Sequence, residues 1–203
     1  MDSRHISAAL FLAAAAAATP AAASPFVFDN GNVSGLMASA SRPGAAGKFE
    51  IESADDFLLG ARTAITNASF TGLLPTGAGV GSIGQVRVEI YRVFPNDSDV
   101  GRTSGPSTNP AFSTPQVPTR VNSPADVALA DRDTATGSLA FTATSLSPSS
   151  DALNSVQAGG IHPKPNNATG GNGAVTGEEV RFDVSFTTPF DLPAGHYFFV
   201  PQV

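Results

Sequence analysis

From residue 179 to residue 186 the chain alternates strictly. Val180, Phe182, Val184 and Phe186 are apolar, while Glu179, Arg181, Asp183 and Ser185 are polar. A period of two is that of a β-strand with one face buried and the other in water, as in an antiparallel sheet with a single covered face. Val86, Val88 and Ile90 alternate in the same way against Arg87, Glu89 and Tyr91, and Pro95 with Asn96 ends that ladder. Shorter runs rich in β-branched or aromatic residues lie at 49–52, 57–59, 65–70, 139–144 and 197–200, each between turn formers. The pattern predicts an all-β fold, an antiparallel β-sandwich of jelly-roll-like type with about seven strands. The apolar sets of the two alternating runs should face one core. Only residues 125–130 hint at helical spacing.

Two polar stretches, 96–124 and 145–177, read as long loops, the second ending in the Gly-rich 166–173. Strands resume after each, and no repeat is present, so residues 24–203 are expected to form one domain. Tyr197, Phe198, Phe199 and Val200 are apolar on both faces, which suits a strand covered on both sides and paired along both edges. With Val203 close behind, the expectation is a domain incomplete at its C-terminus, with an open strand edge there.

Residues 1–23 read as a signal peptide. Arg4 and His5 precede an uncharged, mostly apolar run over 6–18, and Pro20 leads to Ala21 and Ala23, the small residues a signal peptidase requires before a cut at Ser24. The run is too short and too rich in Ala to span a bilayer, and no later segment is long and apolar enough to do so.

Composition narrows the function classes. Eleven Lys and Arg against 17 Asp and Glu leave a charge of -6, which repels phosphate backbones, so nucleic acid is excluded as a partner. The absence of Cys removes disulfides, thiolate metal sites and a cysteine nucleophile.

The residues with chemical potential are few. A Ser-His-Asp triad could draw only on His162 or His196 in the exported part, and no Gly-x-Ser-x-Gly elbow accompanies either; two distant histidines also match no zinc spacing. Asp55 with Asp56, and Glu178 with Glu179, are adjacent carboxylates, but neighbours on a strand point to opposite faces and cannot by themselves flank one glycosidic bond. Asp56 beside Phe57 suits a turn fixed by its own backbone amides. Asn96, Asp97, Ser98, Asp99 and Gly101 vaguely resemble the start of a calcium loop, yet the closing acid is missing, so an Asx turn is preferred. Asp131 and Asp133 around Arg132 read as a surface charge pair. Asn32, Asn67, Asn96 and Asn167 begin glycosylation sequons. No catalytic residue, metal or cofactor is assigned.

The segments 53–59, 65–74, 88–98, 119–127 and 190–203 together resemble uncharacterised secreted bacterial proteins of the PEP-CTERM class. That resemblance implies export from a Gram-negative cell, one that often makes exopolysaccharide, and a β-sandwich displayed outside it. Members of the class close with a Pro-Glu-Pro signal, an apolar helix and a basic tail, and this sequence reaches Val203 without them. The function expected is a non-catalytic extracellular or cell-surface module, structural or exopolysaccharide-associated. The alternative is a secreted glycosidase-like hydrolase, which would need Asp56, Asp97 or Glu179 at a glycosidase separation of roughly 5 to 9.5 Å.

The secreted product should begin at Ser24, and N-terminal sequencing of exported material reads this directly. Intact Met1 in a membrane fraction would contradict it.

Overall fold

Alternation and β-branching govern this chain because Gly and Pro recur too often for long helices, and the elements that form are strands. The computed structural model describes residues 26–45, 47–100, 120–158 and 171–203. Within these lie β1 (Met37–Ser39), β2 (Asp55–Leu59), β3 (Thr63–Pro75), β4 (Arg87–Arg92), β5 (Ala130–Asp133), β6 (Leu139–Ala152), β7 (Asn154–Val156), β8 (Val175–Leu192) and β9 (Gly195–Gln202). Among the described residues no helix is long and apolar enough to cross a membrane.

The strands form a four-stranded sheet, β2-β9-β4-β5, and a three-stranded sheet, β3-β8-β6, both antiparallel throughout. A short parallel pair, β1-β7, stands apart. The chain passes between the two large sheets four times, from β2 to β3, β3 to β4, β5 to β6 and β8 to β9. The first and last of these crossings run side by side, since Leu59 pairs with Gly195 and Thr63 with Leu192.

The core lies between the two large sheets, so the protein is an antiparallel β-sandwich. Val86, Val88, Ile90, Val180, Phe182, Val184 and Phe186 all enter one cluster, with Phe57, Leu59, Leu139, Phe190, Leu192 and Tyr197. Phe70 stacks on Phe182 with ring centroids 4.9 Å apart, and Phe190 meets Phe186 edge-on at 4.8 Å. Gly177 is required where β3 and β8 meet, because a Cβ there would lie 2.2 Å from the Leu74 carbonyl oxygen.

Several expectations are corrected. Residues 49–52 join neither large sheet; they form the second arm of a return in which Arg42 bridges Ile51 and Ala45 bridges Lys48. Residues 125–130 are not helical, because the Ala125 and Leu129 amides donate to Arg92 and Ile90 and tie the segment alongside β4. The stretch 145–177 is only partly loop. β6 runs on through Pro148 to Ala152, with register shifts between Ser145 and Ser147 and between Ser147 and Ser150. An edge strand tolerates Pro at such irregularities because no outer neighbour needs its amide. The rest of that stretch, and 101–119 of the other proposed loop, fall outside the described residues.

Two corrections matter for function. Glu89 and Tyr91 do not face water: they are 2% and 7% exposed. β9 also has no open edge, since β2 and β4 pair with it on either side. Its double-sided apolar character is met by Tyr197 and Phe199 packing toward the main core, while Phe198 and Val200 pack on the opposite face with Tyr91 and Ala125.

Phe182→Ala removes a ring that is fully buried at the centre of the sandwich. It should lower unfolding stability by about 3–5 kcal/mol in a denaturant titration. Phe49→Ala, at a ring 65% exposed, should stay within about 0.5 kcal/mol of the parent.

Candidate functional site

Period two places Arg87, Glu89 and Tyr91 on the face of β4 that points away from the main core. Register places Gln202, Val200 and Phe198 of β9 beside them on that same face. The apolar half of this face is closed by Ala125, with Val93 and Ala128 packed around it. Its polar half is closed by the return over residues 41–53. Ser41 Oγ donates to the Pro201 carbonyl at 2.5 Å, and the Val203 amide donates to the Ser41 carbonyl at 3.2 Å. Ser53 Oγ donates to the Ala40 carbonyl at 2.9 Å. With Ile51 buried, Glu50 and Glu52 flank it and reach the sheet.

A polar network results. Tyr91 Oη lies 2.5 Å from Glu52 Oε1 and 3.0 Å from Glu89 Oε2. Arg87 Nη2 is 2.7 Å from Glu89 Oε1, and its Nη1 is 3.4 Å from Glu50 Oε1. Gln202 Nε2 donates to Glu50 Oε1 at 2.9 Å. One oxygen each from Glu50, Glu52 and Glu89 lie within 4.8 Å of one another, which is a geometry able to hold a metal ion. Glu50 and Glu52 also line an open depression of about 620 Å³ with Ser39, Ala40, Ile51, Ser53 and Val156.

Protons are short in this network. Tyr91 has one hydroxyl hydrogen to donate and two carboxylates, Glu52 and Glu89, within reach of it, so two ionised carboxylates there compete for a single donor. The electrostatics agree. Burial pushes the Glu89 carboxyl up to about 7, against the opposing pull of the Tyr91 hydrogen bond and the Arg87 charge. Burial, and then the bond to Glu52, raise the Tyr91 phenol above its ordinary range.

The residues singled out by sequence are dispersed. Asp56 Oδ2 lies 2.6 Å from His196 Nε2, so the histidine and carboxylate of a triad do meet; among the described residues no hydroxyl is hydrogen-bonded to that imidazole. The Asp56 amide donates to the Asp55 carboxylate at 3.0 Å, so Asp55 rather than Asp56 caps the strand start. Glu179 pairs across from Leu73 and Ser147, and Glu178 from Leu74. Asp97 sits in a left-handed turn at φ 54° with Arg92 Nε 3.6 Å away. The Asp99 amide donates to Asp126, whose carboxylate also pairs with Arg120 at 2.5 Å. This segment is thus an Asx-rich turn docked on neighbouring side chains. His162 and Asn167 lie outside the described residues, while Asn32, Asn67 and Asn96 are exposed.

The surface charge pair expected around Arg132 does not form. Arg132 donates to the carbonyls of Thr188 at 2.6 Å and Pro189 at 2.9 Å and lies over the Phe190 ring, tying β5 to β8. Asp133 is buried, accepting from the Ala135 amide at 2.7 Å and from Gln85 at 2.6 Å. Asp131 turns instead toward Arg87, at 3.6 Å.

With divalent ions chelated, the Glu89 proton should appear in the stability. The folded chain holds it to about pH 7, whereas an unfolded glutamate releases it near 4.5. This contribution is therefore complete below about pH 4.5 and is lost as pH rises through about 7, on the order of 2–3 kcal/mol. Glu89→Gln, which cannot ionise, should match the parent at pH 4.5 and exceed it in melting temperature at pH 8. Equal pH dependence in the two chains would show that Glu89 is ionised when folded.

No protein family, curated protein or solved structure matches this chain.

Proposed function

We propose that the chain is an exported, non-catalytic extracellular or cell-surface module of a Gram-negative bacterium, structural or exopolysaccharide-associated. The likeness to secreted PEP-CTERM proteins belongs to the same proposal. The observation that carries it is the outward face of the three-stranded sheet. There Ser69, Asp183 and Thr142 stand in one row across β3, β8 and β6, and Thr71, Arg181 and Thr144 stand in the next. Asn67 and Ser185 extend the field, and the Ser and Thr side chains in it are exposed.

Side chains about 4.8 Å apart within each row, in rows about 6.7 Å apart, present donors and acceptors on a nearly regular grid, which suits a hydroxyl-rich polymer lying across the sheet. Each contact is weak, so attachment depends on many contacts along one polymer. The rings of β3, β6 and β8, Phe70, Phe141, Phe182, Phe186 and Phe190, pack inward, so hydrogen bonding rather than ring stacking carries recognition on this face.

The hydrolase alternative has less support. Its acid would be Glu89, the carboxyl whose proton persists toward neutrality, but Glu89 is 2% exposed. A general acid must come within hydrogen-bond reach of the glycosidic oxygen.

Affinity electrophoresis through gels containing neutral or acidic bacterial polysaccharide should retard the protein. Thr142→Ala with Thr144→Ala and Arg181→Ala should weaken retardation about 5- to 10-fold without lowering the melting temperature by more than a few degrees. Unretarded migration in every polysaccharide would refute association, and release of reducing ends would favour the hydrolase.

A further inference from the structure

We infer that Glu50, Glu52 and Glu89, together with the side-chain oxygen of Gln202, form a binding site for one calcium ion. This stands apart from the polysaccharide reading, because it concerns the opposite sheet and a different set of side chains.

Clustered carboxylates alone would not carry the inference; Gln202 supplies the second observation. Its side chain is fully buried, at 0% exposure. Its Nε2 is spent on Glu50 Oε1 at 2.9 Å, and Oε1 of that same carboxamide has no hydrogen-bond partner among the described residues. A buried amide oxygen without a donor is rare and costly, and a cation satisfies it as a hydrogen bond would. The bond from Nε2 to Glu50 holds this carboxamide against the acidic cluster, and its neutral oxygen is left to be satisfied.

The size of the cluster selects the ion. Three oxygens mutually within 4.8 Å share a point no more than about 2.8 Å from each, a span that admits calcium–oxygen bonds of 2.3–2.6 Å; calcium accepts carboxylate and amide oxygens in irregular geometry, whereas magnesium demands a near-ideal octahedron and gives up its water reluctantly. All donors are hard oxygens, which disfavours softer transition metals.

The charge count agrees. When ionised, the three carboxylates exceed the Arg87 guanidinium by two charges, and one divalent ion cancels that excess. Asp131, the other acid near Arg87 at 3.6 Å, has a side chain 48% exposed and can remain its partner. Glu50 and Glu52 border the open depression, so the ion enters from that side and keeps water in its remaining positions. With few protein ligands, the affinity belongs with extracellular calcium modules, at a dissociation constant of about 10⁻⁴–10⁻³ M.

Melting curves of the purified chain, stripped with chelator and then supplied with about 10 mM calcium chloride, should rise by about 3–10 °C. Magnesium chloride should produce less than half that rise. Glu50→Gln with Glu52→Gln changes two exposed residues and should abolish the calcium-dependent rise, whereas Asp183→Asn on the other sheet should retain it.

Terbium luminescence gives a readout independent of stability. The chain has no Trp and only two Tyr, and Tyr91 adjoins the cluster, so tyrosine-excited terbium emission should appear on binding, fall when calcium is added, and be mostly lost in Tyr91→Phe. A calcium-independent melting temperature with no terbium emission would overturn the site. An undiminished rise in the Glu50/Glu52 double variant would also overturn it, and equal stabilisation by magnesium would overturn the assignment to calcium.

Discussion

Everything in this sandwich is arranged around β9, which is enclosed on all sides. β2 and β4 pair with its two edges, the main core receives Tyr197, and a second apolar cluster receives Phe198 and Val200. A strand so placed forces its neighbour β4 to bury its second face as well, because the two share one surface in register from Arg87–Gln202 to Arg92–Tyr197. That second face must then be covered by chain outside the sheets. The apolar half takes apolar cover from around Ala125. The half bearing Glu89 and Gln202 needs polar partners, because burying those groups unpaired would cost more than the packing returns.

The return over residues 41–53 meets that need with charge and hydroxyl groups rather than with bulk. Glu50 reaches Arg87 and Gln202, Glu52 reaches Tyr91, and Ser41 and Ser53 satisfy backbone groups at the end of β9 and within the return. The spacing of two residues between the glutamates fixes the register. A slip by one residue would turn Ile51 toward the carboxylates and both glutamates away from their partners. Polar contacts of this kind contribute less net stability than an apolar interface of equal area, but they admit a single arrangement.

How much of this was legible follows from which forces act over short range. The strands at 180–186 and 86–91 were readable from alternation, and their seven apolar side chains do share one core, because period-two burial depends only on local geometry. β1, β5 and β7 were missed: Met37–Ser39, Ala130–Asp133 and Asn154–Val156 are short and lack an apolar run, and they owe their strand form to pairing, β5 with β4 and β1 with β7. The acidic cluster was missed for a related reason. Glu89 looked like the wet residue of an amphipathic strand, since nothing near it in sequence discloses a cover arriving from some forty residues away. The available clue was β9 itself. A strand apolar on both faces implies a covered outer surface, and Gln202 continues the Phe198–Val200 side of that strand; any charged residue on the matching side of a neighbour was then a candidate for burial.

The two sheets end with opposite outer surfaces. On the three-stranded sheet Arg181 and Asp183 pair with each other at 2.9 Å, leaving a nearly neutral field of hydroxyl groups. On the four-stranded sheet the acids outnumber the bases, with Glu50, Glu52, Glu89 and Asp131 gathered around Arg87. Among the described residues, charge is thus unevenly divided between these two outer surfaces. An anionic polymer would be repelled from the acidic side and tolerated on the hydroxyl side, while a divalent cation would be drawn the other way. Screening at physiological salt confines both effects to about 8 Å, so each surface acts on what touches it. The sandwich core between them is what lets one small domain present two chemistries that would interfere if they shared a face.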